Sequence, residues 1–350
     1  MSERFPLPIA MSFHLVHHPL SMEDRWSQER AWEWYTGYRW LVGCNFTPST
    51  AINQLEMWQA GTFDPVTIDR ELGWAGDLGF NTARVYLHDL VWEDDAEGFI
   101  DRINQFLGIA SSKGIKPMFV FFDDCWNSVF LPGKQPEPKP GVHNSGWVQS
   151  PGTGKVLDPS TWGTLEGYVK GVLSAFGGDD RVLMWDLYNE PGNNDLGKKS
   201  LGLLKKIFRW AREVDIIQPI SVGVWFSNDD LNEFQLSNSD IVTFHDYHDA
   251  THLEEQICRL REHGRPMICT EYMARTNGSL FETSLPVFKR ENVGCVNWGF
   301  VDGRTQTKYP WGSKEGSPEP ETWFHEILQG DGAPYRKDEV DLIRKLTLSD

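Results

Sequence analysis

Two glutamates stand at the ends of apolar runs and are stopped there. Glu190 lies in "WDLYNEPGNN" (185–194), where Pro191 and Gly192 break the chain at once, and Glu271 lies in "PMICTEYMAR" (266–275). A carboxylate carried to the end of a buried strand and left at the break suits chemistry better than packing, since burying an unpaired charge is costly. A pair of such groups, one protonated and one ionised, can give a proton to a departing oxygen and attack the carbon it leaves. Other reactive or polar side chains close comparable runs: Arg84 in "ARVYL", His245 and Tyr247 in "FHDYHD", and Trp298 in "GCVNWGF".

These residues work together only if a fold gathers the run ends. Eight short, apolar, β-rich segments recur, at 39–46, 81–88, 116–122, 181–188, 219–226, 240–247, 266–272 and 294–300. Continuous apolar runs suit parallel strands buried on both faces. Helical patterns separate them, with readable punctuation: Asp64 caps a helix with Pro65 in its first turn, and Gly79 and Gly114 stop two helices before strands. Further helices are read at 95–114, 158–178, 197–214, 249–264 and 279–292, with a short one at 228–234. The expected fold is α/β, a single (β/α)8 TIM barrel. The barrel proper spans about 39–347, after an N-terminal helical extension over 1–38 that plugs its bottom. An open doubly wound sheet is the alternative, but no glycine-rich phosphate loop follows the first strand. In the barrel, the ends of strands four and seven face each other, bringing Glu190 and Glu271 together. Long, Pro/Gly-rich loops after strands 3 and 8 (127–157 and 302–320) lie on that same face.

The bulk composition narrows the partners. The 350 residues carry a formal charge of −17, which argues against nucleic acid or an anionic membrane, since both demand a basic face. No apolar run approaches the length of a membrane span, and the proline- and histidine-broken start is not a convincing signal peptide, so a cytoplasmic location is expected. Five cysteines without a C-x-x-C pattern give neither a disulfide framework nor a zinc site. Most of the sixteen Trp are expected in the core, but a fraction stand beside expected loops, where flat aromatic faces suit sugar rings.

Taken in order, the strand-end residues resemble clan A glycoside hydrolases, closest in pattern to family 5, the cellulase/mannanase superfamily. The resemblance implies Glu190 as acid/base, Glu271 as nucleophile and Asn189 as partner of the sugar 2-hydroxyl. It implies that Arg84 holds the nucleophile ionised, that Tyr247 orients it beside His245, and that Trp298 floors the sugar. Where the family has a histidine near the third strand, this chain has "FFDDCWN", and His88 is expected to fill part of that role. Asp124 and Trp126 are expected to contact sugar, and Glu56 and Trp58 in the first loop to grip a terminal unit.

The function expected is a retaining β-glycosidase acting on β-glucosides, β-mannosides or short oligosaccharides, exo-acting, without cofactor or metal. Its partner is a carbohydrate; the oligomeric state stays open. Endo-acting glucanase, mannanase or xylanase action is the close alternative. Two readings of another class remain: a metal-dependent sugar isomerase or epimerase using His245, Glu190, Glu271 and an aspartate, and a glycan-binding barrel without activity.

Overall fold

A computed structural model describes residues 25–348. The eight expected strands form as β1 (Val42–Asn45), β2 (Thr82–Tyr86), β3 (Lys116–Asp123), β4 (Met184–Asn189), β5 (Ile220–Ser221), β6 (Val242–His245), β7 (Met267–Glu271) and β8 (Gly294–Asn297). They pair in parallel in the order β5-β4-β3-β2-β1-β8-β7-β6. A parallel bridge from Val224 to Phe244 joins the two edges, so the sheet curls into a TIM barrel. β5 is much shorter than the expected 219–226, because beyond Ser221 the chain meets β6 only at that bridge, where β6 itself shifts register between Phe244 and His245.

The period of two sorts the side chains of each strand. Phe119, Phe121, Trp185 and Leu187 join the helices in the large core, whereas Met118 and Met184, on the opposite face of the sheet, join a second cluster with Leu41, Ile241, Ile268 and Val296. Ala31 and Tyr35 of the helix Gln28–Thr36 pack into this second cluster, so the described part of the expected N-terminal extension does cover one end of the barrel. The expectations placed on residues 1–24 lie outside the described residues.

Helix punctuation follows the sequence closely. Asp64 caps Pro65–Asp77 by accepting from Thr67 N at 3.0 Å, and Gly79 takes φ +78 where the chain leaves that helix for β2. The helix expected from 95 starts at Asp89, but its φ/ψ break falls at Asp95, whose carboxylate caps Gly98 N at 3.0 Å. Three helices had not been expected: Gln54–Trp58, Thr153–Leu157 and Lys337–Thr347. Among the described residues, no helix is long and apolar enough to cross a membrane.

Candidate active site

Arg84 is the hub of the strand ends. It is 1% exposed, and a buried guanidinium requires compensation. Its Nη1 lies 2.7 Å from Glu271 Oε1 and its Nη2 2.8 Å from Asp186 Oδ2, while Nη2 also donates to Asn189 Oδ1 at 2.8 Å. Tyr86, two residues on and so on the same strand face, donates its hydroxyl to Glu271 Oε1 at 2.9 Å. Tyr247 donates to Oε2 at 2.8 Å. Glu271 therefore accepts from three donors through both oxygens, which fixes its position and supports its charge.

Glu190 stands just past β4, and the break after it now has a physical reason. The residue takes φ +44, a left-handed turn that swings its side chain out of the strand, and Pro191 prevents the strand from resuming. Asp124 pins the turn by accepting from Gly192 N at 2.8 Å and from Ser200 Oγ at 2.6 Å. Glu190 Oε1 lies 2.8 Å from His245 Nδ1; Oε2 accepts from Asn193 Nδ2 at 2.7 Å and from the Cys125 thiol at 3.1 Å. Burial pushes this carboxyl up, but the bond and charge of His245, with the donors from Cys125 and Asn193, outweigh it and hold Glu190 below the usual glutamate range.

Oxygens of Glu190 and Glu271, with the nitrogen of His245 between them, lie within 4.8 Å of one another. Carboxyl groups about 5–5.5 Å apart are the retaining arrangement; inverting enzymes need about 6.5–9.5 Å to admit a water. The pair opens on a cavity of about 720 Å³. Trp298 lines it with its ring edge-on to Tyr86 and Trp147, and Trp126 lies over His143 with centroids 5.3 Å apart. The two long loops form one wall. Asn144 N donates to Thr305 O at 2.9 Å, His143 N to Ser313 Oγ at 3.0 Å and Gly316 N to Pro140 O at 2.8 Å.

Asn189, Glu190, His245, Tyr247, Glu271, Trp298 and Trp126 all line this cavity, with Arg84 buried against Glu271. Besides Arg84, four expected residues do not line it. His88 is fully buried, with Nε2 at Gln149 O and Nδ1 accepting from Leu90 N, so it caps a helix. Asp124 points beneath the β4 turn, where Tyr188, Gly192 and Ser200 occupy it. Trp58 is 0% exposed, packed on Phe63, Phe99 and Phe106 with its indole N–H on Tyr86 O. Glu56 accepts from Ile52 N at 2.7 Å and from Arg304 Nε at 3.0 Å, tying the first loop to the last.

Other residues take up the vacated ground. Asp123 lines the cavity, accepting from Asn189 Nδ2 and the Trp147 indole, and burial pushes its carboxyl up to about 6. Tyr86, Cys125 and Asn193 also belong to the site; only Tyr86 had a sequence signal, its spacing of two from Arg84.

The chemistry of a metal fits the central group poorly. Glu190, His245 and Glu271 gather without an aspartate, and the oxygens a cation needs already accept from Arg84, Tyr86, Tyr247, Asn193 and Cys125. Asp246, His248 and His252 form a second group, in which Asp246 takes the two imidazoles at 3.1 and 2.9 Å.

Residues 75–303 match the model of the Cellulase family (glycosyl hydrolase family 5). Solved structures share the fold. A GH5_18 variant from Streptomyces cattleya in complex with Manβ1-4GlcNAc is 14% identical, over 88% of this chain and 80% of that one, with a TM-score of 0.61. An exo-β-1,4-mannosidase from Opitutaceae bacterium strain TAV5 is 17% identical, over 89% and 60%, at 0.62. The hyperthermostable endo-1,4-β-D-mannanase of Thermotoga petrophila RKU-1 is 14% identical, over 89% and 99%, at 0.57. No curated protein matches the chain by sequence.

Proposed function

The chain belongs to glycosyl hydrolase family 5, a retaining glycoside hydrolase, and we propose that it removes single sugars from the ends of short β-linked oligosaccharides. Glu271 is the nucleophile. It attacks the anomeric carbon, the glycosidic C–O bond breaks, and Glu190 gives its proton to the departing oxygen. Glu190 then takes a proton from the water that cleaves the glycosyl-enzyme and is restored as an acid. Arg84, Tyr86 and Tyr247 fix Glu271 for attack. Asn189, braced by Arg84 and Asp123, is the partner of the hydroxyl next to the anomeric carbon. Trp298 is the floor of that sugar.

The observation that carries this reading is the pair of carboxyls whose facing oxygens lie within 4.8 Å at the mouth of a walled cavity. The mutual hydrogen bonds of the two long loops favour exo action, because they close the cavity on one side. An open groove for endo cleavage would leave those loops apart. The bound Manβ1-4GlcNAc of one similar structure, and the mannanase and mannosidase activities of the other two, are the reason to test β-mannosides first, beside β-glucosides.

Glu190 held low by His245 has a kinetic consequence. A general acid loses its proton as pH rises through its pKa, so kcat/KM falls on the alkaline side early, and the optimum lies on the acid side of neutrality. The test is release of nitrophenol from β-mannosides, β-glucosides and β-xylosides, with product lengths read from mannan, glucan and xylan oligosaccharides. Monosaccharide from the first time points supports exo action; a spread of oligosaccharides makes the chain an endo-glycanase. No release from any of them, with chelator or with added divalent metal, overturns the reading.

A further inference from the structure

The thiol of Cys125 touches the carboxyl of Glu190, and the mechanism above makes no use of it. Cys125 follows the end of β3, where its backbone N–H donates to Asp123 Oδ1 at 2.9 Å. Its sulfur lies 3.1 Å from Glu190 Oε2. Two side-chain amides close on the same sulfur, Asn189 Nδ2 at 3.4 Å and Asn193 Nδ2 at 3.3 Å. Both bring N–H groups, so they meet the sulfur's lone pairs, and the thiol hydrogen is left to Glu190. Burial first, then the charges of Asp123, Glu190 and Glu271, push the thiol well above its ordinary pKa. It therefore stays S–H while Glu190 titrates, and donates in one direction only.

From this geometry we propose that Cys125 is a positioning residue for the acid/base: with Asn193 it holds Glu190 Oε2, favours the ionised carboxyl, and sets the pH at which the general acid is lost. The inference rests on the reading of Glu190 as acid/base. The two donors at Oε2 are complementary. Asn193 comes from the β4 loop that also carries Glu190, whereas Cys125 comes from the chain just past β3, so the thiol ties the acid to the end of a neighbouring strand. Asn189, one residue before Glu190, bonds both Arg84 and the Cys125 sulfur, so it touches the partners of both carboxylates.

The experiment is the pH profile of kcat/KM for the wild type, Cys125→Ser, Cys125→Ala and Cys125→Val. Val, slightly larger than Cys, fills the space should Ala unfold. Loss of the donor in Ala and Val moves the alkaline limb up by about half a pH unit or more, because the ionised carboxyl loses support. Ser keeps an O–H donor, and its limb stays at or below that of the wild type. A purely structural role shifts KM or expression and leaves the limbs coincident. Coincident limbs, or Ser and Ala moving together, overturn the proposal. Glu190→Gln on the same substrates separates the two claims. An acid/base variant retains far more activity on a dinitrophenyl glycoside, whose leaving group needs no proton, than on an unactivated oligosaccharide. Equal losses on both remove the acid/base reading and this proposal with it; an unequal loss beside coincident limbs removes the proposal alone.

Discussion

Two groups of buried acids share the upper end of the barrel and behave in opposite ways. Around Arg84, Glu271 and Asp186 sit against a guanidinium, and Glu190 against His245, with hydroxyl, amide and thiol donors completing the shell. Around the β3 end and the β8 loop, Asp123, Asp124 and Glu326 are as deeply buried, yet among the described residues no cation lies within hydrogen-bond reach of their carboxyls. Burial then wins, and the three are pushed up to about 6, about 7 and about 8. One residue type thus serves two ends. Beside guanidinium or imidazole a carboxyl is held in place for chemistry; without them burial raises its pKa, and it braces loops.

The strongest break of this contrast is Glu271→Gln. It removes the charge from the paired group while keeping its shape, and turnover on nitrophenyl glycosides falls on the order of 10⁴-fold or more. The melting temperature, followed by circular dichroism, stays close to that of the wild type; residual activity within tenfold sinks the nucleophile assignment. Next comes Arg84→Met, which leaves Asp186 and Glu271 buried without their cation. Urea unfolding is expected to show a loss of about 3–5 kcal/mol, the usual penalty for stranding a buried charge. A loss under about 1 kcal/mol would mean that the guanidinium is not what compensates these acids. Smaller again is His245→Gln, which takes the charge from Glu190 and keeps a donor. The alkaline limb of kcat/KM moves up by about one pH unit, since His245 is the leading influence holding that carboxyl low.

The paired group was legible in the sequence and the neutral group was not. Glu190, Glu271, Arg84 and His245 each end an apolar run, and a barrel brings run ends together whatever the detailed register. Asp123 and Asp124 are neighbours on one strand end, so they point to opposite sides. Which one faces the cavity follows from the pairing of Asp123 with Asn189, a tertiary fact. Glu56 and Trp58 did carry a local signal: "NQLE" at 53–56 has a capping spacing. Asn53 accepts from Glu56 N at 2.9 Å, and Glu56 returns to Ile52 N, so both glutamate and tryptophan belong to a short helix rather than an open loop. His88 misled because an apolar strand end followed by histidine reads alike whether the ring caps the next helix or faces a ligand.

The finest test repeats the Glu→Gln change in the neutral group, at Glu326. Its carboxyl is fully buried, its Oε1 accepts from the Thr307 hydroxyl and its Oε2 has no partner. With its pKa raised to about 8 it is protonated at pH 6, so an amide of the same shape replaces a neutral acid. At that pH the change in unfolding free energy stays within about 1 kcal/mol. The sign of the pH dependence is fixed by where the proton sits. Between the unfolded value, about 4.3, and the folded one the native state holds a proton that the unfolded chain has released, so wild-type stability falls as pH rises. The Gln variant has no such proton, and its stability relative to the wild type therefore grows from pH 5 to pH 9. Urea unfolding at both pH values reads the difference directly. A Gln variant that instead loses ground as pH rises would mean that Glu326 is ionised in the folded protein and has found a cation, and the division between the two groups would fail at this residue.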